Sequence, residues 1–257
     1  MPSFGAAPGK QNVTSASRSS AKVEELVASS ATEDLIVAAG HGSLNEELAL
    51  ALLRRRDLQP VVLEALAKNH FALKHHKVLV QMVQHERTPR HISLPMLRRL
   101  FAFDLMQVAL APSVAADLKL FAEELLIAKL ETLSLGESIS LARRASTNVA
   151  GVLLLHLEPS VIEAALQNPR TTEACIVKAL AKANVPAQLL STVMKNPKWC
   201  ARRNIQIAVL RRPEATENLV IEIAGKLPKS AIRNLIEQVK LPQSREVLLR
   251  KLESQRN

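Results

Sequence analysis

Five of the seven histidines lie between residues 70 and 91, and grouped imidazoles are candidate metal ligands. The five are His70, His75, His76, His85 and His91. A zinc site on a helix needs ligands that converge, such as two histidines four residues apart with a carboxylate. His70 and His75 are five residues apart, and Glu86 is the one acid in the segment. The spacing therefore predicts surface and loop histidines, with no metal site.

Other groups that could act as nucleophiles or bind phosphate follow no catalytic pattern. Cys175 and Cys200 lie in apolar segments without an adjacent base, and the sequence has no GxSxG, GxxxxGK or GxGxxG motif. Gly40-His41-Gly42 is typical of a turn that ends a helix. We therefore predict a protein that is not an enzyme and has no cofactor, with both cysteines as buried free thiols.

Lysine and arginine give the strongest chemical signal in the sequence. The chain has a formal net charge of +10 and a pI near 9.9, and such an excess attracts nucleic acid, anionic membranes or acidic proteins. Residues 174–213 contain eight basic residues and no acid, and residues 68–99 contain seven basic residues against Glu86 alone. Each stretch could therefore contribute to a surface that binds anions.

Seven basic residues form the candidate set for binding an acidic partner or a polyanion: Arg170, Lys195, Lys198, Arg202, Arg203, Arg211 and Arg212. Regular repeats place equivalent positions on one face, so Arg170 is expected to share a ridge with Lys198 and the Arg202-Arg203 pair. The alternative is that these side chains only solvate the outer faces of helices. Aromatic residues make up 2% of the chain and Trp199 is expected in the core, which argues against single-stranded nucleic acid, whose bases stack on aromatic rings.

The elements that position these residues are predicted to be helices. Leucine and alanine, which favour helices, dominate the composition, and seven glycines leave few hairpin turns. Residues 1–20 are rich in serine, alanine, glycine and proline and contain no acid, so we expect a disordered tail. No segment has the roughly eighteen uninterrupted apolar residues of a membrane helix, and no secretory signal is visible. We therefore expect no membrane insertion and a cytoplasmic location.

Prolines in the second half of the chain recur with a nearly constant period. They are Pro159, Pro169, Pro186, Pro197, Pro213, Pro228 and Pro242. The interval from Pro159 to Pro186 equals that from Pro186 to Pro213. Because proline is tolerated in the first turn of a helix, each one predicts a helix start or the turn before it. The segments between them have helical periodicity, as where Leu189-Leu190 precedes Val193-Met194.

A short motif indicates the same corner twice. Gln167-Asn168-Pro169-Arg170 recurs about one proline period later as Lys195-Asn196-Pro197-Lys198, each time after an apolar helix. Asparagine suits a helix end, and proline suits the start of the next helix. With this period and these corners, residues 149–252 resemble HEAT and armadillo repeat proteins, and most closely the leucine-rich-repeat-variant subgroup. The resemblance implies that residues 21–257 form a right-handed α-solenoid of short stacked helices.

We expect a scaffold whose basic surface holds another protein, with an acidic one favoured. Non-specific binding of duplex nucleic acid is the alternative. HEAT-like folds include DNA glycosylases for alkylated bases, which combine aromatic residues with a carboxylate. Trp199 is the one aromatic residue in the basic stretch 174–213, which has no aspartate, and this departure argues against a glycosylase.

The first half of the chain is less regular. Ser43-Leu44-Asn45-Glu46 has the form of a capping box that opens a helix. Pro95 is expected to break a helix or to start one. A long helix is predicted over residues 113–133, with Gly136 ending the pattern. Two lobes that meet near Pro112 are the alternative to one continuous superhelix.

Overall fold

The computed structural model describes residues 22–238, 246–250 and 253. Within these ranges all regular secondary structure is helical, which confirms the all-α prediction. The predicted tail at residues 1–20 and Pro242, the last of the recurring prolines, lie outside the described residues. The chain divides into two compact units between Leu126 and Ile127.

Unit 1 consists of short helices joined by turns. Its helices are α1 (22–28), α2 (Thr32–Gly40), α3 (Glu46–Leu53), α4 (Pro60–Lys68), α5 (His76–Gln84), α6 (Arg90–Leu97), α7 (Ala102–Leu110) and α8 (Ala116–Lys129), the last of which contains the unit boundary. A 3-10 turn, Ala72–Lys74, precedes α5. Several helices pack against the next but one along the chain: α2 contacts α4, α3 contacts α5, and α5 contacts α7.

Unit 2 has the same kind of packing. After a 3-10 turn at Leu130–Thr132, its helices are α9 (Leu135–Arg144), α10 (Thr147–Leu153), α11 (Pro159–Gln167), α12 (Glu173–Leu180), α13 (Ala187–Lys195), α14 (Pro197–Cys200), α15 (Arg203–Leu210), α16 (Glu217–Lys226), α17 (Lys229–Gln238) and α18 (246–250). Helix α11 packs between α9 and α13, and α12 packs between α10 and α15. Alternate helices therefore form two rows of neighbours.

Aliphatic side chains fill the core of both units. Examples with no exposed surface are Leu52, Leu63 and Leu105 in unit 1 and Leu141, Ile162 and Ile205 in unit 2. Full burial of one such side chain stabilises the fold by about 2 kcal/mol. Most of these helices have seven to ten residues, too short to be stable alone in water. Their stability therefore comes from packing on neighbouring helices.

The recurring prolines lie where the period predicts them. Pro159 and Pro197 are the first residues of α11 and α14, and Pro186 is the N-cap of α13. The apolar stripe predicted on α13 is also confirmed, because Leu189, Leu190, Val193 and Met194 are all buried. The proline pattern thus locates helix starts correctly in this part of the chain.

Three local predictions in the first half are wrong. Helix α3 is capped by Asn45, whose Oδ1 accepts from the Leu48 amide at 2.9 Å, and not by Ser43. Pro95 lies inside α6, near its end, where its ring nitrogen cannot donate to the carbonyl four residues earlier. Gly136 does not end a helix but lies in the first turn of α9. The long helix predicted over residues 113–133 is present as α8, although it is shorter.

Candidate interaction surface

The corner between α11 and α12 is built around a buried asparagine. Asn168 has no exposed surface, and its Nδ2 donates to the carbonyl oxygens of Ala142 and Ala145 at 2.8 and 3.0 Å. Its Oδ1 accepts from the Arg170 amide at 2.8 Å. Since Ala142 and Ala145 lie at the end of α9, this one side chain joins the corner to the corner before it.

A tryptophan joins the next corner, between α13 and α15, to the corner between α11 and α12. Trp199, between α13 and α15, is buried, and its Nε1 donates to the Leu166 carbonyl at 2.9 Å. The Asn204 amide group donates to Glu173 Oε1 at 2.7 Å, which joins the starts of α15 and α12. Three successive corners therefore lie side by side, and the prediction that Trp199 belongs to the core is confirmed.

These three corners carry a row of basic side chains, which we name the corner edge. Its members are Arg143, Arg144, Arg170, Lys195, Lys198, Arg202 and Arg203, and all are exposed. Along the described residues of these corners, Glu173 is the one carboxylate, and it is bonded to Asn204. Lys198 Nζ lies 4.2 Å from the centroid of the Trp199 ring. The corner edge is thus strongly electropositive.

Arg170 contributes to the structure of the corner edge as well as to its charge. Its Nη1 donates to the Arg144 carbonyl at 3.2 Å, and its own carbonyl accepts from Thr147 Oγ1 at 2.9 Å. Charge-assisted bonds from arginine to the carbonyls at a helix end are favourable because those carbonyls lack partners within the helix. Arg170 therefore helps to hold α9 and α11 in register.

Two members of the predicted set do not lie on the corner edge. Arg202 is the N-cap of α15, whereas Arg211 is its C-cap, so the length of α15 separates them by about 12 Å. Arg212 follows Arg211 and has a side chain only 13% exposed. Its guanidinium donates to the Lys182 and Ala183 carbonyls and pairs with Glu214 at 2.9 Å. The seven predicted residues thus divide into five on the corner edge and two at the other end of α15.

Unit 1 contains a corner of similar construction between α5 and α6. His85 Nε2 bonds to the Arg55 carbonyl at 3.0 Å, and His85 Nδ1 accepts from the Arg87 amide at 3.2 Å. Arg87 Nη1 donates to the Leu58 carbonyl at 3.2 Å. Thr88 Oγ1 donates to the carbonyl oxygen six residues earlier at 2.6 Å.

The same hydrogen-bond pattern recurs in unit 2, at the corner between α11 and α12. There Asn168 and Arg170 take the positions of the histidine and the arginine, and Thr171 Oγ1 donates six residues back to Ala165 at 2.7 Å. The interval from His85 to Asn168 is close to three of the proline periods. Sequence reasoning missed this equivalence because the first corner has Glu86 where the second has Pro169.

Basic residues also surround the corner in unit 1. A polar cleft of about 240 Å³ is lined by side chains that include Arg54, Arg56 and Arg87, with Glu86 opposing them. Arg55, between the first two, pairs with Asp57 at 2.8 Å, and its hydrogen bond lowers the pKa of the Asp57 carboxyl. Each unit therefore has basic side chains at its corners, with some of them engaged in local structure.

A groove lies between α10 and α12, beside the corner edge. It has a volume of about 390 Å³, and Val152, Cys175 and Ala179 contribute to its mainly apolar lining. Lys178 and Lys182 also line the groove, and none of its described lining side chains is a carboxylate. Cys175 is half-buried, and burial raises the pKa of its thiol. Both cysteines are free, but the prediction that they are buried is wrong, since each is partly exposed.

Two of the grouped histidines, His75 and His76, lie beside carboxylates. His76 Nε2 lies 2.5 Å from Asp104 Oδ2, and His75 Nδ1 lies 3.3 Å from Glu46 Oε2. The His76–Asp104 pair borders a cleft of about 390 Å³, and no serine, threonine or cysteine is among the described residues that line it. Across the described ranges, no three His, Cys, Asp or Glu side chains converge as a metal site would require.

No family model, curated protein or solved structure matches this chain. In the part of the chain that the structure describes, no helix has the length and apolar character needed to cross a bilayer. The corner edge and the groove in unit 2 are therefore interpreted from their own geometry and charge.

Proposed function

We propose that this chain is an α-solenoid of the HEAT or armadillo kind that acts by binding another protein. Three features support a repeat architecture: the proline period, the two rows of neighbouring helices in unit 2, and the corner pattern that occurs in both units. Stacked repeats of this kind provide rigid, extended surfaces, and binding is their usual role. A cytoplasmic location and the absence of catalysis belong to the same proposal.

The corner edge is the proposed binding surface, and an acidic protein is its proposed partner. The observation that carries this proposal is the row of seven exposed lysines and arginines on three hydrogen-bonded corners, whose described residues include one carboxylate, Glu173. Because the corners are joined by buried side chains, the charges are held in place before the partner arrives. Such a surface speeds association with an acidic partner and sets its orientation.

Non-specific binding of duplex nucleic acid is the second candidate, because the same charges suit a phosphate backbone. Two observations favour a protein over duplex nucleic acid as the partner. Trp199 is buried and so provides no platform for bases. The groove beside the corner edge is mainly apolar, and a duplex phosphate backbone has no apolar surface to fill it.

Charge reversal on the corner edge tests the proposal. Immobilised wild-type protein should retain a set of acidic proteins from a nuclease-treated lysate, and Arg202→Glu/Arg203→Glu should lose them. This variant should fold normally, because acidic residues are favoured at the first positions of a helix such as α15. Arg54→Glu/Arg56→Glu in unit 1 makes the same change in net charge and should retain the partners.

Fluorescence anisotropy with a labelled duplex of about 20 base pairs separates the two candidates. The acidic-partner proposal predicts weak duplex binding at about 50 mM salt. Duplex binding that is tight at about 50 mM salt, collapses at about 200 mM and is lost in Arg202→Glu/Arg203→Glu would favour the nucleic-acid candidate instead. Loss of protein partners in both charge-reversal variants would show that net charge, and not the corner edge, attracts them.

A further inference from the structure

The groove between α10 and α12 has a shape that follows from small residues at the helix contact. Gly151 on α10 faces Cys175 on α12, and a Cβ at position 151 would lie 3.0 Å from Cys175 Sγ. The two helices therefore approach closely at this point, and a side chain at position 151 would crowd the cysteine. Ala174 and Ala179 continue the shallow floor along α12.

The charge around the groove is of one sign. Lys178 on α12 and Lys182 in the turn just after it are both exposed, and both line the groove. At the other end the groove begins at Thr147 and Thr172, and Thr147 is bonded to Arg170 of the corner edge. An occupant of this groove would thus meet an apolar floor, two lysines along its length and arginines at one end.

We propose that the groove binds an acidic amphipathic helix of the partner protein. Between Thr172 and Lys182 the groove follows the eight residues of α12, a length of about 12 Å. A helix in a groove is recognised through apolar residues three and four positions apart. Glutamates or aspartates beside those residues would face Lys178 and Lys182. This inference rests on the proposed function, because it names the segment by which the acidic partner binds.

Other occupants fit the charge less well. The segments of this chain outside the described residues are basic in balance: residues 1–21 and 239–245 contain no acid at all. A second copy of the chain would carry a net charge of +10 toward the lysines. Electrostatic complementarity therefore favours an acidic segment from a different protein.

The two cysteines of the chain report on the two surfaces separately. Cys175 lines the groove, whereas Cys200 ends α14 on the third corner, and both are partly exposed. Alkylation of each thiol by iodoacetamide can be followed by mass spectrometry. Burial raises the pKa of Cys175, so the reaction is best measured at about pH 8.5, where more thiolate is present.

The probe is a peptide of about fifteen residues that has leucine and alanine on one helical face and glutamate on the other. At saturation it should slow alkylation of Cys175 by about tenfold or more. A second peptide of the same composition, scrambled so that no apolar face forms, should leave Cys175 unprotected. Lys178→Glu/Lys182→Glu should weaken binding of the amphipathic peptide about tenfold, as loss of two charge pairs and gain of repulsion require.

The outcomes distinguish the inference from the proposed function. The groove proposal would be overturned if the peptide protected Cys200 alone and its binding were lost in Arg202→Glu/Arg203→Glu but retained in Lys178→Glu/Lys182→Glu. The corner edge would then remain as the surface that binds the acidic partner. Equal protection of Cys175 by both peptides would overturn the inference that the occupant is an amphipathic helix. Protection of Cys175 by a duplex of about 20 base pairs would assign the groove to nucleic acid. No binding of either peptide at about 1 mM would count against both proposals.

Circular dichroism of each variant before and after heating tests whether a folding defect is the cause of weaker peptide binding. If Lys178→Glu/Lys182→Glu fails to fold, Val152→Glu provides a second test, since Val152 is half-buried in the groove and faces the same occupant. A glutamate there should repel the acidic peptide while Cys200 keeps its wild-type rate. Unchanged peptide affinity in folded Val152→Glu would overturn the proposal that the groove binds the peptide.

Discussion

Asn168 and Asn196 occupy the same position in a repeated sequence, yet their hydrogen bonds differ. Both are C-caps, and the Oδ1 of each accepts the amide two residues later. Asn168 is fully buried and has two further bonds to the preceding corner, whereas Asn196 is partly exposed. In the later corner, Trp199 and not the asparagine bonds to the preceding corner. The same local sequence thus has a tertiary role in one repeat and a local one in the next.

Alanine substitutions should separate these two roles. Asn168→Ala removes two bonds to buried carbonyls and leaves those carbonyls without a donor, so the free energy of unfolding should fall by about 3 kcal/mol. Asn196→Ala removes one local bond at a partly exposed cap and should cost about 1 kcal/mol. Urea denaturation followed by circular dichroism measures both. Equal costs would show that the buried bonds of Asn168 add nothing to stability.

At the scale of elements, arginines bind one helix end to another. Arg212 donates to the Lys182 and Ala183 carbonyls beyond the end of α12, and Arg55 donates to the Val27 and Ser29 carbonyls at the end of α1. Each arginine is also paired with a carboxylate two residues later in the chain. Basic residues that the sequence presents as candidates for a ligand are therefore partly used to join repeats.

The Arg212–Glu214 pair predicts a specific response to acid. The hydrogen bond from Arg212 lowers the pKa of Glu214 below its ordinary value of 4.5. A carboxylate with a lower pKa in the folded state stabilises the fold above pH 4.5, and this contribution is lost as the pH falls through the folded-state pKa. Wild-type protein should therefore lose more stability between about pH 5 and pH 3 than Glu214→Gln does.

Thermal melting over this pH range measures the difference. Asp57→Asn should behave in the same way, because the hydrogen bond from Arg55 also lowers the pKa of Asp57. At pH 7 each variant should be slightly less stable than wild type, since the ionised pair is then intact. If Glu214→Gln followed the wild-type pH dependence, Glu214 would have the same pKa in the folded and unfolded chains.

Helices and corners were predictable from the sequence because they depend on local signals. Proline positions and apolar periodicity locate α11, α13 and α14 without knowledge of their neighbours. The division of the basic set was not predictable, because it depends on which end of α15 each side chain occupies. The groove was not predictable either, since it arises where Gly151 lets α10 approach Cys175. Local propensity carries no information about such contacts between helices.

For the molecule as a whole, the corner pattern is the observation in both units that most supports the proposed repeat series. His85 and Asn168 differ in type but bond to the preceding corner in the same way. Arginine and threonine follow each of them at the same offsets. The pattern therefore occurs on both sides of the unit boundary in sequence, and this recurrence supports the proposed repeat series.

A repeat series predicts additive stability, since each repeat contacts only its neighbours. Leu63 in α4 and Ile205 in α15 are both fully buried, so alanine at either site should cost about 2–5 kcal/mol. If the two helices belong to repeats that are not neighbours in the series, the costs in the double variant should add within about 0.5 kcal/mol. Leu63→Ala/Val62→Ala, with both changes in α4, is the matched case in which coupling should appear. Coupling above about 1 kcal/mol between positions 63 and 205 would mean that distant repeats do not act independently, and the solenoid proposal would then fail.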